Sequence, residues 1–434
     1  MLKRKIISKL VEWHSSSRNK ALLLKGTRQV GKTTAVRIFA AQHYTHFVEV
    51  NFVKHPSAKQ AFDGNLTTRE IVLNLSAMGF GPFVKGNTLV FFDEIQECPN
   101  ARTAIKFLVE DGDYDYIESG SLLGINYKPV SSYPVGSETE LTVYPLDFEE
   151  FLWAKEVPAD VIDIVHDCYR KHLPVPKLIH EQMYKYFREY LLVGGMPEVV
   201  YKYINENDFG RTVSIQRAIM STYRDDISHY ADKHAPLVKR VFDAVPAELG
   251  KQDKRFILSH IEKGASLRKY EDPTQWLSDA GIVHYSFNTS AFELPFESTE
   301  NRRLFKLYMA DTGLLCCQLL NNMQYKVLAG ELDINEGALT ENFVAQALTA
   351  QNIPLHYYDK KSKLELDFII PEGDGISIIE VKSGNDYKKH ASLNNAIREM
   401  SHRLNRAIVL SKYNVEETSG ILYLPLYMAM FIGN

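Results

Sequence analysis

Cysteine is scarce in this chain: 434 residues carry four, Cys98, Cys168, Cys316 and Cys317. None stands in a CxxC pair or at a Cys/His ligand spacing, which excludes a disulfide scaffold and a zinc-ribbon centre and predicts reduced, mostly buried thiols. Cys316 and Cys317 are adjacent in a helix-like run and point apart, which suits packing. Long apolar runs are missing too. The longest nearly uncharged one, 421–433, is too short to span a bilayer and reads as a terminal core segment. The Met1-Leu2-Lys3-Arg4-Lys5 start is basic but lacks the apolar core and small-residue cleavage site of a signal peptide. Together these absences predict a cytoplasmic protein with no membrane partner. There is no repeat of about 20 to 50 residues and no low-complexity tract, so a solenoid is excluded. An excess of basic charge is lacking as well. Fifty Lys and Arg against 54 Asp and Glu leave a net charge of −4, so any nucleic-acid surface has to be local.

What is present is ordinary globular composition, 45 % apolar and 24 % charged. At roughly 150 residues per domain the length suggests about three units. Strand-like segments at 21–24, 47–52, 88–92, 114–117 and 141–144 alternate with helical patterns, the signature of a parallel sheet covered by helices. From Pro145 helical periodicity runs to about residue 245, broken at Gly194-Gly195-Met196-Pro197-Glu198. Next come helices expected at 255–261 and 276–283, and a wing-like hairpin from 283–287 and 304–309. An irregular linker after Gly313, a helix at 338–351 and an α/β tail complete the chain.

The first chemistry-bearing motif follows the first strand. Gly26-Thr27-Arg28-Gln29-Val30-Gly31-Lys32-Thr33 matches GxxxxGK[ST]. Its glycines let backbone N–H groups wrap phosphates, Lys32 reaches the β- and γ-phosphate oxygens, and the Thr33 hydroxyl can ligate Mg²⁺. The helix beginning at Lys32 aims its dipole at the anion. Leu89-Val90-Phe91-Phe92-Asp93-Glu94 is a buried strand ending in two acids, as in a Walker B element. Asp93 would hold Mg²⁺ through water and Glu94 would orient and deprotonate the attacking water; charges that only pair with Arg or Lys at a strand end are the plainer reading. Two adjacent carboxylates favour hydrolysis of ATP over small-molecule phosphorylation, and no guanine-selecting NKxD follows. The fourth strand ends in Ser119-Gly120-Ser121, where Ser119, or else Ser121, can sense the γ-phosphate; a plain Ser-Gly turn is the alternative. Neither Arg28 nor Arg224 has the context to be assigned as an arginine finger.

The second motif is a hairpin near the carboxyl end. Leu364 to Ile370 and Ile376 to Lys382 flank the turn residues Pro371-Glu372-Gly373-Asp374-Gly375. A symmetric turn centred between Gly373 and Asp374 sets Asp367 opposite Glu380, with Cβ atoms roughly 4.5–5.5 Å apart, and Lys382 on the same face. Opposed carboxylates repel unless a cation is shared. With Mg²⁺ or Mn²⁺ on Asp367 and Glu380, Glu341 completing the site and Lys382 stabilising the bound water or the phosphate, the set fits a phosphodiesterase. A metal-free acidic pair neutralised by Lys382 fits the same residues.

Taken with Thr34 after the phosphate loop, Phe92-Asp93-Glu94-Ile95-Gln96, Ser119-Gly120-Ser121, Tyr144-Pro145-Leu146-Asp147-Phe148-Glu149-Glu150-Phe151, Gly194-Gly195-Met196-Pro197-Glu198 and Lys306-Leu307-Tyr308-Met309-Ala310-Asp311-Thr312-Gly313-Leu314, the chain resembles uncharacterised prokaryotic ATPases. In these an AAA-type P-loop core is joined to a restriction-endonuclease-like carboxyl-terminal domain. The resemblance implies an α/β chain of four parts: an ATPase core at 1–150, a helical lid at 151–248, a winged-helix-like segment at 249–330 and a PD-(D/E)XK-type domain at 331–434. Glu341, Asp367, Glu380 and Lys382 fall at matching positions of that last pattern. One departure concerns the Gly-Arg pair that many relatives carry before the fifth strand, which reads Val135-Gly136-Ser137-Glu138 here. The expectation is an ATP- and Mg²⁺-dependent switch acting on nucleic acid, with Arg302-Arg303, Lys360-Lys361, Lys388-Lys389, Arg403 and Arg406 as basic groups that can meet phosphates. An ATP-dependent regulator or scaffold for a protein partner, its nuclease-like domain non-cleaving, is the other reading, and a homo-oligomer is open in either.

Overall fold

A computed structural model describes residues 2–16, 19–121, 134, 136–206, 208–320, 336–360, 364–400 and 403–433. In chain order the elements are α1 (Lys5–Ser16), β1 (Ala21–Lys25), α2 (Lys32–His43), β2 (His46–Asn51), α3 (Thr68–Ala77), β3 (Thr88–Asp93), α4 (Pro99–Asp111), β4 (Asp115–Ser119) and β5 (Glu138–Thr142). The helices α5 (Phe148–Ala154), α6 (Ala159–Lys171), α7 (Lys177–Val193), α8 (Pro197–Glu206), α9 (Phe209–Tyr230), α10 (Ala235–Leu249) and α11 (Leu267–Asp279) follow. The remainder is β6 (Val283–Thr289), β7 (Glu300–Met309), α12 (Thr312–Leu320), α13 (Glu336–Ala350), β8 (His356–Asp359), β9 (Glu365–Glu372), β10 (Gly375–Lys382), α14 (Ala391–Met400), β11 (Leu404–Ser411), β12 (Glu416–Thr418) and β13 (Ile421–Pro425). The chain divides into two units: Lys3–Tyr144 with Asp279–Gly281, and Pro145–Ser278 with Ile282–Asn434.

In the first unit five parallel strands run in the order β2-β3-β4-β1-β5. Strands buried on both faces read as unbroken apolar runs, which is why all of Thr88–Asp93 is buried. One side of the core is filled by Val48, Val50, Phe52, Phe62, Val90, Phe92, Ile105 and Leu108. The carboxyl ends of β1, β3 and β4 lie side by side, the place where open parallel sheets bind ligands. The fifth strand covers 138–142, slightly before the expected 141–144, because its register is set by pairing Ala21–Lys25 against Glu138–Thr142.

The second unit holds an eight-stranded mixed sheet, β12-β13-β11-β10-β9-β8-β6-β7. The β6–β7 hairpin forms as expected and continues into this sheet through the parallel β6–β8 pair. The helix expected at 255–261 is a single 3₁₀ turn, Leu258–His260. Backbone that would have closed that helix is diverted, since the Phe256 N–H donates to the Phe305 carbonyl at 2.8 Å. The linker expected after Gly313 begins as α12, whose apolar residues are buried all round, so no amphipathic stripe marked it. Residues 321–335 lie outside the described set.

Three motifs quoted above meet in one junction of this unit. Asp147 caps α5 in a capping box with Glu150. Leu146 N donates to Gly195 O at 2.7 Å, and a Cβ on Gly195 would meet the Leu146 oxygen at 2.0 Å. Gly194, at φ +75°, backs onto Gly313, and Asp311 accepts from the Gly195 N–H at 2.6 Å and the Leu314 N–H at 2.9 Å. Burial pushes the Asp311 carboxyl up to about 6 against these backbone donors. The glycines are there because two backbones touch.

Candidate nucleotide site and carboxylate hairpin

The phosphate loop leaves β1 at Gly26, φ +137°, where a Cβ would meet the Val143 oxygen at 2.2 Å. Gln29 (φ 68°) and Gly31 (φ 90°) add left-handed turns before α2 starts at Lys32, a conformation that turns successive N–H groups inward into an anion-binding nest. Thr27 and Val30 are buried beneath the loop, Arg28 is half-buried, and Gln29 and Thr34 are exposed on it. Lys32 is buried, its Nζ donating to Gly26 O at 2.8 Å, Thr27 O at 3.0 Å and Ser121 Oγ at 3.1 Å. Desolvation lowers Lys32 to about 8, with Glu94 and Asp93 opposing the drop.

Asp93 gathers the neighbouring strand ends. Its Oδ2 accepts from Thr33 Oγ1 at 3.1 Å and Asn51 Nδ2 at 2.9 Å, and its Oδ1 accepts from Ser119 Oγ. Thr33, Asp93 and Ser119 thus meet, and Ser121 meets Lys32, so each of the two serines has its own partner. Glu94 leaves the strand in the left-handed region, φ 54°, and accepts from Gln96 Nε2 at 2.6 Å. The arrangement fits Mg²⁺ with nucleotide: a hydroxyl and a carboxylate converge beside a lysine and an N–H nest. Asn51 was missed by sequence reasoning, although it ends β2 in register with Asp93 and a search of every strand end would have found it.

Also missed was a buried triad across the sheet, in which Arg102 on α4 donates to Glu118 at 2.8 Å and to both oxygens of Glu138. Glu118 is fully buried and desolvation pushes it up to about 8, against Arg102. Of the arginines weighed as fingers, Arg224 pairs with Asp243 at 2.7 Å.

In the second unit the β9–β10 ladder runs Gly375↔Glu372 through Ile379↔Phe368, so its next step sets Glu380 against Asp367, the expected register. Asp367 Oδ2 accepts from the Val381 N–H at 2.8 Å, and Lys382 Nζ lies 2.6 Å from Glu380 Oε1. Burial first and Asp367 second push Glu380 up to about 8, against Lys382; burial and Glu341 raise Asp367. Glu341, on α13, is engaged otherwise: it accepts from Lys306 at 3.1 Å, from Tyr308 OH at 2.5 Å and from Lys254. Burial pushes Glu341 up, but Lys254 and Lys306 outweigh it and hold the carboxyl at about 2. Among the described residues no group of three or more His, Cys, Asp or Glu side chains is placed to hold a metal ion, so Glu341 does not complete a three-carboxylate set in this arrangement. Lys254 and Lys306 stand 87 and 35 positions from Glu341, beyond the reach of any local pattern.

Five of the basic groups proposed for phosphates have acidic partners, Arg302 with Glu300, Lys388 with Glu416, Lys389 with Asp386, Arg403 with Glu293 and Arg406 with Glu372, while Arg303 is exposed. Lys360 is exposed, and Lys361 lies outside the described residues. No described helix is long and apolar enough to cross a membrane.

With this geometry in place, comparison with known proteins is direct. Residues 18–152 match the family model of an AAA domain; 184–325 and 336–428 match two domains of unknown function, DUF8612 and DUF4143. No curated protein matches. Among solved structures, a Walker-type ATPase of Pyrococcus abyssi is 15 % identical over 73 % of this chain and 96 % of its own, at a TM-score of 0.45. A signal-transduction ATPase with a tetratricopeptide repeat sensor from Pyrococcus horikoshii is 9 % identical over 81 % of this chain and 45 % of its own, at 0.26. The Pif1 helicase of Candida albicans is 10 % identical over 42 % and 47 %, at 0.25. The family match and the site geometry define a class: the chain carries an AAA-type P-loop ATPase domain.

Proposed function

We propose that the protein is a Mg²⁺-dependent ATP hydrolase working as a switch on nucleic acid. The meeting of Thr33, Asp93 and Ser119 beside Lys32 carries the hydrolytic part. Thr33 and Asp93 would hold Mg²⁺, which supplies charge neutralisation at the β- and γ-phosphates when bound. Loop N–H groups and Lys32 bind the phosphates. Glu94 takes a proton from the attacking water as its oxygen bonds to the γ-phosphorus and the bridging oxygen leaves with ADP; Ser119 and Asn51 fix the carboxylate beside it. Glu94→Gln should lower kcat by about 10²-fold or more while nucleotide still binds, whereas Lys32→Ala should lose binding itself. Steady-state hydrolysis and fluorescent-nucleotide titration separate the two, and a Lys32→Ala chain that binds and hydrolyses normally would sink the reading.

The division into core, lid, winged-helix-like segment and nuclease-like domain at 1–150, 151–248, 249–330 and 331–434 is part of this proposal; the family-model limits at 152 and 336 fall near two of its boundaries, while the 184–325 match runs across the one at 248/249. Action on nucleic acid is supported by the Asp367, Glu380 and Lys382 constellation. A cytoplasmic setting is supported by four cysteines that form no disulfide among the described residues. The ion pairs on Glu341 favour a second reading, a regulator of a protein partner or of a second copy whose hairpin site does not cut. Incubation with duplex, single-stranded DNA or RNA and Mn²⁺ separates them. Cleavage abolished by Lys382→Ala and Asp367→Ala supports the first; intact substrates beside active ATP hydrolysis leave the second.

A further inference from the structure

At the hairpin the carboxylates Glu341, Asp367 and Glu380 lie among three lysines, Lys254, Lys306 and Lys382, with Glu365 3.8 Å from Lys306 as a fourth acid. Lys254 and Lys306 occupy the two oxygens of Glu341, so a divalent cation entering the cluster would meet a carboxylate already paired. The two lysines on Glu341 differ. Lys306 is sealed in the core, 1 % exposed and 5.0 Å from the centre of the Tyr357 ring, whereas Lys254 is 18 % exposed and comes from the stretch between α10 and α11. The backbone around Lys254 is pinned. Arg255 pairs with Asp253 and, at 3.1 Å, with Asp359, and the Phe256 N–H is bonded to Phe305. Its side chain can thus swing while the chain stays in place. One oxygen of the cluster is unsatisfied: Glu380 is 6 % exposed, and its buried Oε2 has no hydrogen-bond partner among the described residues. A buried acceptor without a donor is costly, and a cation is one group that would satisfy it.

We propose that Lys254 is a tethered cation that keeps the hairpin site closed to metal, so that Mg²⁺ or Mn²⁺ is taken up only as Lys254 leaves Glu341. The proposal rests on the reading of Asp367 and Glu380 as a metal pair and adds its regulation. Lys306 stays on one oxygen of Glu341 and keeps the helix seated; departure of Lys254 frees the other oxygen for a third ligand.

The test is Mn²⁺ binding to the full chain, read from the free-ion paramagnetic resonance signal without nucleotide, in a Thr33→Ala background that removes the hydroxyl ligand of the phosphate-loop site. Lys254→Met should bind one Mn²⁺ at least about tenfold more tightly than its parent. Lys254→Arg, which keeps the charge, should match the parent, and Asp367→Asn added to Lys254→Met should abolish the gain. Circular dichroism melting verifies the fold, with Lys254→Gln as substitute if the methionine variant is unstable. Equal affinity in parent and Lys254→Met overturns the gate and leaves the metal pair standing. If no folded variant binds Mn²⁺, the metal reading falls and the gate with it.

Discussion

Lys32 shows how much chemistry a single buried side chain carries. Its ammonium is out of water with three oxygens for company, and desolvation lowers it to about 8. For a cation lowered on folding, the folded chain holds fewer protons than the unfolded one between about 8 and the ordinary lysine value. That contribution to stability is therefore least favourable below pH 8 and improves as pH rises through the window. Nucleotide reverses the balance, because phosphate oxygens favour the charged form. Binding of MgATP near pH 8 should take up about half a proton, falling toward none at pH 6.5. Calorimetric titration in buffers of different ionisation enthalpy measures the uptake directly. The nearby carboxylates Asp93 and Glu94 divide the work between them: one is held by Thr33, Asn51 and Ser119, while the other accepts from Gln96.

At the scale of elements, close backbone approaches decide what the sequence tolerates. A methyl on Gly195 would sit 2.0 Å from the Leu146 oxygen, whereas one on Gly384 would meet nothing within 4 Å. Gly195→Ala should cost about 3 kcal/mol or more, since backbone has to give way, and Gly384→Ala should stay within about 0.5 kcal/mol. Thermal or urea melts of the two variants check the contrast. The Gly-Gly break was legible as a helix boundary, but its reason was not, because Leu146, Gly195, Asp311 and Gly313 meet only in three dimensions. The hairpin was legible to the residue, since a tight turn at Gly373 and Asp374 leaves one register for Asp367 and Glu380. The five strands of the first sheet were legible from apolar runs, with ends shifted by pairing. Residues 255–261 misled because Phe256 is drawn to β7, its N–H bonded to the Phe305 carbonyl and its ring stacked on the Phe305 ring. Asp93 was legible as a carboxylate closing β3, and Asp367 and Glu380 as an opposed pair set by the hairpin register. The cationic partners of Glu341, Glu118 and Glu138 were not, since Lys254, Lys306 and Arg102 reach them across long stretches of chain.

For the molecule as a whole, the net charge of −4 says little about partners once the basic groups are followed to their acids. Arg302, Lys388, Lys389, Arg403 and Arg406 each pair within the chain, so phosphate binding by these groups has to compete with existing pairs. Such competition predicts weak, steeply salt-dependent association rather than a standing polyanion site. Stability divides differently. Each unit has a core of its own, around Phe52, Phe62 and Phe92 in one and around Leu366, Ile378 and Val409 in the other. The hydrogen bonds of Lys32, Thr33, Asp93 and Ser119 described above lie within the first. A ligand that binds only the folded form of one unit stabilises that unit, by about 2.7 kcal/mol at a hundredfold excess over its Kd. Scanning calorimetry should accordingly resolve two transitions, with MgATP raising one by several degrees and leaving the other where it was. Lys32→Ala should remove that shift without moving either baseline midpoint far. If both transitions rise together with nucleotide, the units unfold as one, and ATP binding is then coupled to the hairpin site through the stability of the whole chain.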